Sequence, residues 1–302
     1  MWRSETRSTL LSKFHEGMTL TTTRVFIKRH ALPIYFALTF AISWGGFLLV
    51  VGPGGFASTS WQTDARFPFA ILAMLAGPSV TGVLLTSLVD GKAGLHDVLR
   101  RLLKWRVSAG WYAIALLPAP LLAAAVLFAL SLTSPIFTTN DKAAVLLSGI
   151  AAGLTTVFEE LGWTGFAVPR LRRRYDVVTT GIIVGVLWGA WHFLQGLFIS
   201  GTYAGELSLP VFLSMNSFAA VAQLTAYRVL LVWVYDRTGS LLVVTLMHAS
   251  LTASTIFIFT PLATGASFLI YVWGLAAALW VVVLAAAYSG QLSRQPLVRR
   301  AA

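Results

Sequence analysis

Residues 265–288 read GASFLIYVWGLAAALWVVVLAAAY, an unbroken apolar run without one charged side chain or proline. A helix needs about 20 such residues to cross roughly 30 Å of hydrocarbon, so this stretch is long enough to span a bilayer. Seven more apolar segments precede it, at about 31–51, 67–89, 111–132, 143–166, 178–200, 210–234 and 240–260. Glycine and proline punctuate them: Pro53-Gly54-Gly55 closes the first, Pro169 follows the fourth, Pro210 opens the sixth and Pro261 follows the seventh. Pro118, Pro120 and the Gly77-Pro78 pair lie inside segments, where membrane helices tolerate them as kinks.

Composition agrees. Only 11% of the 302 residues are charged, 57% are hydrophobic, and the mean hydropathy is +0.77. A soluble chain of this length could not hide so much apolar surface. The fold class is therefore all-α, a polytopic membrane protein of about eight transmembrane helices. Cysteine is absent, which excludes disulfides, thiolate metal sites, a cysteine nucleophile and thiol lipidation of this chain.

The net charge of +11 does not point to nucleic acid, because the basic residues punctuate the apolar runs instead of gathering on one module. Of the 22 lysines and arginines, all but Arg66, Lys142 and Arg228 fall in the two tails or in the second, fourth and sixth loops. The positive-inside rule then places both termini in the cytosol, which requires an even number of spans. The expected organisation is a basic cytosolic tail at 1–30, a single transmembrane domain at 31–290 and a short cytosolic tail at 291–302. Residues 1–30 lack the short apolar core of a signal peptide. Leu95, Val98, Leu99, Leu102 and Leu103 recur at helical spacing among Arg100, Arg101 and Lys104. Two readings stay open: a helix lying on the cytosolic headgroups, or one packed against neighbouring spans.

Ionisable groups at membrane depth are costly unless buried and partnered, so each marks a candidate functional site. Within the eight segments the acidic side chains are Glu159 and Glu160 and the histidines are His192 and His248, all in the C-terminal half. At 1.5 Å per residue Glu159 and His248 lie at similar depths, roughly 10 Å below the cytosolic face, with His192 deeper. They can converge in one cavity open to the cytosol. Trp188 and His192, His248 and Thr252, and Glu160 and Thr164 are each four apart and share a helix face. Glu159 and Glu160 are about 100° apart on theirs, so one should face the reaction centre and the other anchor the wall. Thr164 offers Glu160 at most a hydrogen bond, and Arg228 sits at matching depth in segment six, where it either pairs with Glu160 or snorkels to the headgroups.

Glu159-Glu160-Leu161-Gly162-Trp163-Thr164-Gly165-Phe166, Trp188-Gly189-Ala190-Trp191-His192 and His248-Ala249-Ser250-Leu251-Thr252 resemble the three motifs of the CAAX protease and bacteriocin-processing (CPBP) family, which includes the type II CAAX prenyl endopeptidases. Asp236-Arg237-Thr238-Gly239-Ser240-Leu241 resembles the turn before its third motif, and the likeness covers roughly residues 140–260. Thr164 stands where the family usually has arginine, and Thr252 where it usually has asparagine. The resemblance implies an intramembrane protease of the cell membrane, acting on a membrane-associated, prenylated or unprenylated protein or peptide, with lipids as its surroundings and no nucleic-acid partner. It implies Glu159 as general base, His192 holding the water, His248 and Thr252 donating to the oxyanion, and Glu160 as a structural group; Thr164, Arg228 and Trp188 are read from their positions as supporting residues around it. The family is labelled as metalloproteases, and Glu159, His192 and His248 match catalytic zinc in ligand type. They do not form a local His-Glu-x-x-His pattern, so no cofactor is expected and Zn2+ is the alternative. Two other functions compete: a catalytically impaired binding or immunity protein of the same fold, suggested by Thr164 and Thr252, and a proton-coupled transporter using Glu and His as a relay.

Overall fold

The computed structural model describes residues 25–52, 54–56, 64–139 and 142–292, with side chains from 148 onward in the last stretch. The basic tail before residue 25, Pro53, the end of the C-terminal tail from 293 and the side chain of Lys142 lie outside it. Every regular element among the described residues is a helix. They are α1 (Ala31–Val51), α2 (Phe67–Leu102), α3 (Ala109–Leu116), α4 (Pro118–Ser131), α5 (Lys142–Gly162), α6 (Val168–Leu171), α7 (Val177–Trp191), α8 (Phe193–Ile199), α9 (Leu209–Thr238), α10 (Leu241–Thr252) and α11 (Gly265–Tyr288). A π-helical turn at Trp163–Ala167 links α5 to α6, and another at Ala253–Ile258 extends α10.

Seven helical stretches among the described residues are long and apolar enough to cross a membrane, with α3 and α4 counted together and α7 carried through Tyr203. The remaining expected segment, 143–166, is α5 with its π-helical turn. The surface is apolar where a soluble protein's would be polar: Leu49 is 87% exposed and Leu154 72%. The buried stripe of α1 is instead Ala31, Tyr35, Thr39, Ser43, Phe47 and Val51, one residue every fourth position. Small and hydroxylated residues inside with leucine outside is the pattern of helices packed in lipid, where close backbone contact does the work that exclusion of water does elsewhere.

The breaks have local causes. Pro118 supplies no N–H to the preceding turn and divides the third span into α3 and α4. Gly91, at φ 67°, turns α2 out of the span, so residues 92–102 form a second, amphipathic piece. Its Arg101 donates to the Tyr235 hydroxyl (2.6 Å) and the Gly165 carbonyl (3.1 Å), and Lys104 donates to the Thr238 carbonyl (2.7 Å). Of the two readings of this helix, the packed one describes what these polar groups do. It braces the end of α5 and the α9–α10 turn together. That turn is locally encoded: Gly239 closes α9 at φ 58°, and the Ser240 hydroxyl caps α10 by accepting from the Val243 N–H.

A close backbone approach places α7 on α9. Gly181, Gly185 and Gly189 form one stripe against Val229, Thr225 and Val221. A methyl group at Gly185 would come 2.6 Å from Thr225 Cα and 3.1 Å from Arg228 Cβ. Gly185→Leu is therefore expected to destabilise the protein by at least about 1–3 kcal/mol and to displace Arg228. Thermal unfolding in detergent reads this directly, and an unchanged melting temperature would contradict the close packing.

Candidate active site

Three neighbouring units bring the motif residues together: α5 with its π-helical turn, α7 and α10. The π-helical turn directly follows the two glutamates, and such turns recur at functional sites because they re-aim side chains within a continuous helix. Gly162 at its start lies so close to α2 that a methyl group there would be 2.2 Å from the Pro78 carbonyl oxygen. This contact holds the end of α5 against α2 and helps set the rotation of the glutamates.

The two carboxylates have different surroundings. Glu160 is fully buried, and three groups converge on it. Arg228 Nη1 donates to its Oε2 at 2.9 Å, the Thr164 hydroxyl donates to the same oxygen, and His248 Nδ1 lies 3.0 Å from Oε1. Arg228, also fully buried, reaches inward and does not snorkel. A guanidinium stays charged at any ordinary pH, so an acidic partner is needed at zero exposure. Among the described residues its Nε and Nη2 have no hydrogen-bond partner; the guanidinium carbon instead lies 4.0 Å from the centroid of the Trp188 ring. The indole face thus supplies part of what water would have given the cation.

Glu159 is 7% exposed. One oxygen, Oε2, accepts from Trp188 Nε1 at 2.7 Å, and among the described residues Oε1 accepts nothing. His192 sits at the break between α7 and α8, half-buried, with Nδ1 2.9 Å from the Trp188 carbonyl oxygen. A carbonyl can only accept, so Nδ1 carries the proton and a neutral His192 presents a lone pair at Nε2. The His248 ring stands nearly perpendicular to Trp188, with centroids 4.8 Å apart, and the His192 ring centroid is 5.6 Å from that of Trp188. Thr252 lies one turn beyond His248, half-buried, its side-chain hydroxyl without a hydrogen bond to any described group.

Trp188 therefore touches every acidic and basic member of the group except Glu160. Its spacing to His192 signalled a shared face; its contact with Arg228, 40 positions further along the chain, had no local signal. Tyr35 of α1 was not anticipated as a neighbour: its ring packs on Trp163 at 5.8 Å, and Trp163 in turn packs on Trp191 at 6.1 Å, next to His192. These aromatics wall the site from the N-terminal helices.

Among the described residues no three His, Asp or Glu side chains are grouped closely enough to hold a metal ion. Two pockets stand elsewhere. One, about 580 Å3, is an apolar groove walled by Ile182 and Val186 of α7, Phe218 of α9 and Trp273 of α11. The other, about 210 Å3, lies beneath the π-helical turn between Asp90, Asp97, Arg101 and Arg170. Arg101 and Arg170 use their donors on Gly165, Phe166 and the two aspartates, so this pocket's charges brace the turn.

Residues 140–254 match the family described as type II CAAX prenyl endopeptidase Rce1-like. A stretch of 69 residues is 33% identical to CAAX prenyl protease 2 of Methanococcus maripaludis, covering 22% of this chain and 25% of that protein. The chain thus matches about a quarter of the relative's length. The matched segment contains Glu159, Glu160, Thr164, Trp188, His192, Arg228, His248 and Thr252, so it is over these residues that the chain is similar to the type II CAAX prenyl endopeptidases.

Proposed function

We propose that the protein is an intramembrane endopeptidase that hydrolyses a peptide bond of a prenylated or otherwise membrane-associated protein or peptide by glutamate-activated water. The observation that carries this reading is the asymmetry of the paired carboxylates. Glu160 is sealed and spent on Arg228, Thr164 and His248, while Glu159 keeps one oxygen unengaged beside a histidine with a lone pair.

A water between Glu159 Oε1 and His192 Nε2 donates one hydrogen bond to each. As its oxygen attacks the scissile carbonyl, Glu159 takes the proton and later returns it to the leaving amine. His248 Nδ1 donates to Glu160, so donation from Nε2 to the oxyanion requires the doubly protonated ring, whose charge then lies against the Glu160 carboxylate. Thr252, one turn away, supplies a hydroxyl donor. Each oxyanion donor is worth about 3–4 kcal/mol in comparable sites. Prenylation of the substrate is supported by the relative's name and by the lipid-facing surroundings of the site.

The experiment is cleavage in proteoliposomes of a farnesylated peptide ending in a Cys-aliphatic-aliphatic-X sequence, beside the same peptide without the lipid. Membranes of wild-type and Glu159→Gln hosts are compared for uncut peptides in parallel. Cleavage by the wild-type protein alone supports the reading. No cleavage of either peptide, together with identical membrane peptide profiles, would reject it.

The site is proposed to open to the cytosol with both termini on that side, from the distribution of lysine and arginine. Because the chain has no native cysteine, single cysteines at the exposed positions Arg100 and Arg173 can be labelled against a clean background. Both are expected to react only from the cytosolic side. Labelling of intact cells from outside would overturn the orientation.

A further inference from the structure

Among the described residues Glu159 has one tether, the indole N–H of Trp188. A glutamate side chain turns about three torsions, and a general base works only when its free oxygen is held within hydrogen-bond reach of the proton it takes. The tether is itself rigid. Trp188 is 1% exposed, its ring face lies under the Arg228 guanidinium at 4.0 Å, and the His248 ring stands on it at 86°. Its backbone carbonyl receives His192.

We infer that Trp188 is a positioning residue: its N–H binds Oε2 of Glu159, leaves Oε1 facing the reacting water, and ties the aim of the base to the Arg228–Glu160–His248 chain. This rests on the reading of Glu159 as the base. Charge on Arg228 holds the indole, the indole holds Glu159, and Glu160 holds both Arg228 and His248. The buried ion pair thus acts on the reaction through the ring it presses upon, and the two histidines are oriented by the same scaffold.

Trp188→Phe removes the N–H but also ring area, and it can fail by loosening the core. The deciding variant replaces Trp188 with 3-benzothienylalanine, which keeps the bicyclic shape and π face and exchanges the N–H for sulfur. With the farnesylated peptide the sulfur variant is expected to lose about a hundred-fold in kcat, as a misplaced catalytic group does. KM and melting temperature should stay near wild type, and reintroduced tryptophan should restore the rate. Its structure should place the Glu159 carboxylate away from the wild-type position, a readout that needs no substrate. An unmoved Glu159, or kcat within two-fold of wild type, overturns the inference. The Glu159→Gln protein separates the two failures: if it is inactive while the sulfur variant is fully active, only the positioning role falls; if it retains full activity, the base assignment falls first.

Discussion

Glu159→Gln is expected to lower peptide hydrolysis by about 10²–10⁴-fold, the range that a positioned general base contributes, with little change in melting temperature. The substitution is chosen for what it preserves. A glutamine carbonyl oxygen can still accept from Trp188 Nε1, and the side chain is almost the same size, so the 7%-exposed pocket stays filled. Only basicity is lost. Glu159→Ala would also lose the hydrogen bond and leave Trp188 Nε1 unpaired, mixing two effects. His192→Ala and His248→Ala should be as inactive as Glu159→Gln, whereas a Glu159→Gln protein that turned over peptide at the wild-type rate would end the mechanism. The measurement is initial rate in proteoliposomes, normalised to folded protein by size-exclusion chromatography.

Breaking the buried pair should instead cost stability. Glu160→Gln and Arg228→Gln are each expected to destabilise by about 3–5 kcal/mol, the cost of leaving a buried charge uncompensated. Both side chains have zero exposure, and the 2.9 Å contact joins α5 to α9. The two losses differ in character. Without Glu160, Arg228 faces the indole alone and His248 loses its acceptor; without Arg228, the Glu160 carboxylate keeps only Thr164 and His248. The double substitution removes both charges, so it should destabilise by less than the sum of the single changes. Thermal unfolding of the four proteins in one detergent closes the cycle. Additive losses would mean that the contact carries no coupling, and that Thr164 and His248 alone satisfy Glu160.

Much of this architecture was legible in the sequence because the deciding quantities are local. Hydropathy over a span is a sum along a short stretch, and lipid penalises any exposed polar backbone, so apolar runs become helices wherever they occur. The same penalty exposed the site: in hydrocarbon, Glu159, Glu160, His192 and His248 have no reason to be present unless they meet. The Gly239 and Ser240 caps, the division at Pro118 and the sharing of one face by Glu160 and Thr164 follow from backbone chemistry within a few residues.

Rotation and partnership were decided elsewhere. Adjacent glutamates on a helix are interchangeable until the helix is turned, and α5 is turned by contacts with distant elements: Gly162 against Pro78 of α2, and Gly149 and Gly153 against Ala253 and Ala249. Helical spacing left Arg228 free to pair or to snorkel; the α7–α9 glycine stripe draws its helix in until the guanidinium lies between Glu160 and Trp188. The amphipathic helix after Gly91 packs beneath the site because Arg101 and Lys104 find carbonyls at the ends of α5 and α9, acceptors that exist only once those helices stand side by side. Local sequence determined which segments enter the membrane and which residues need partners there. Packing decided which partner each one found, since a side chain's direction is set by the neighbours its helix can approach.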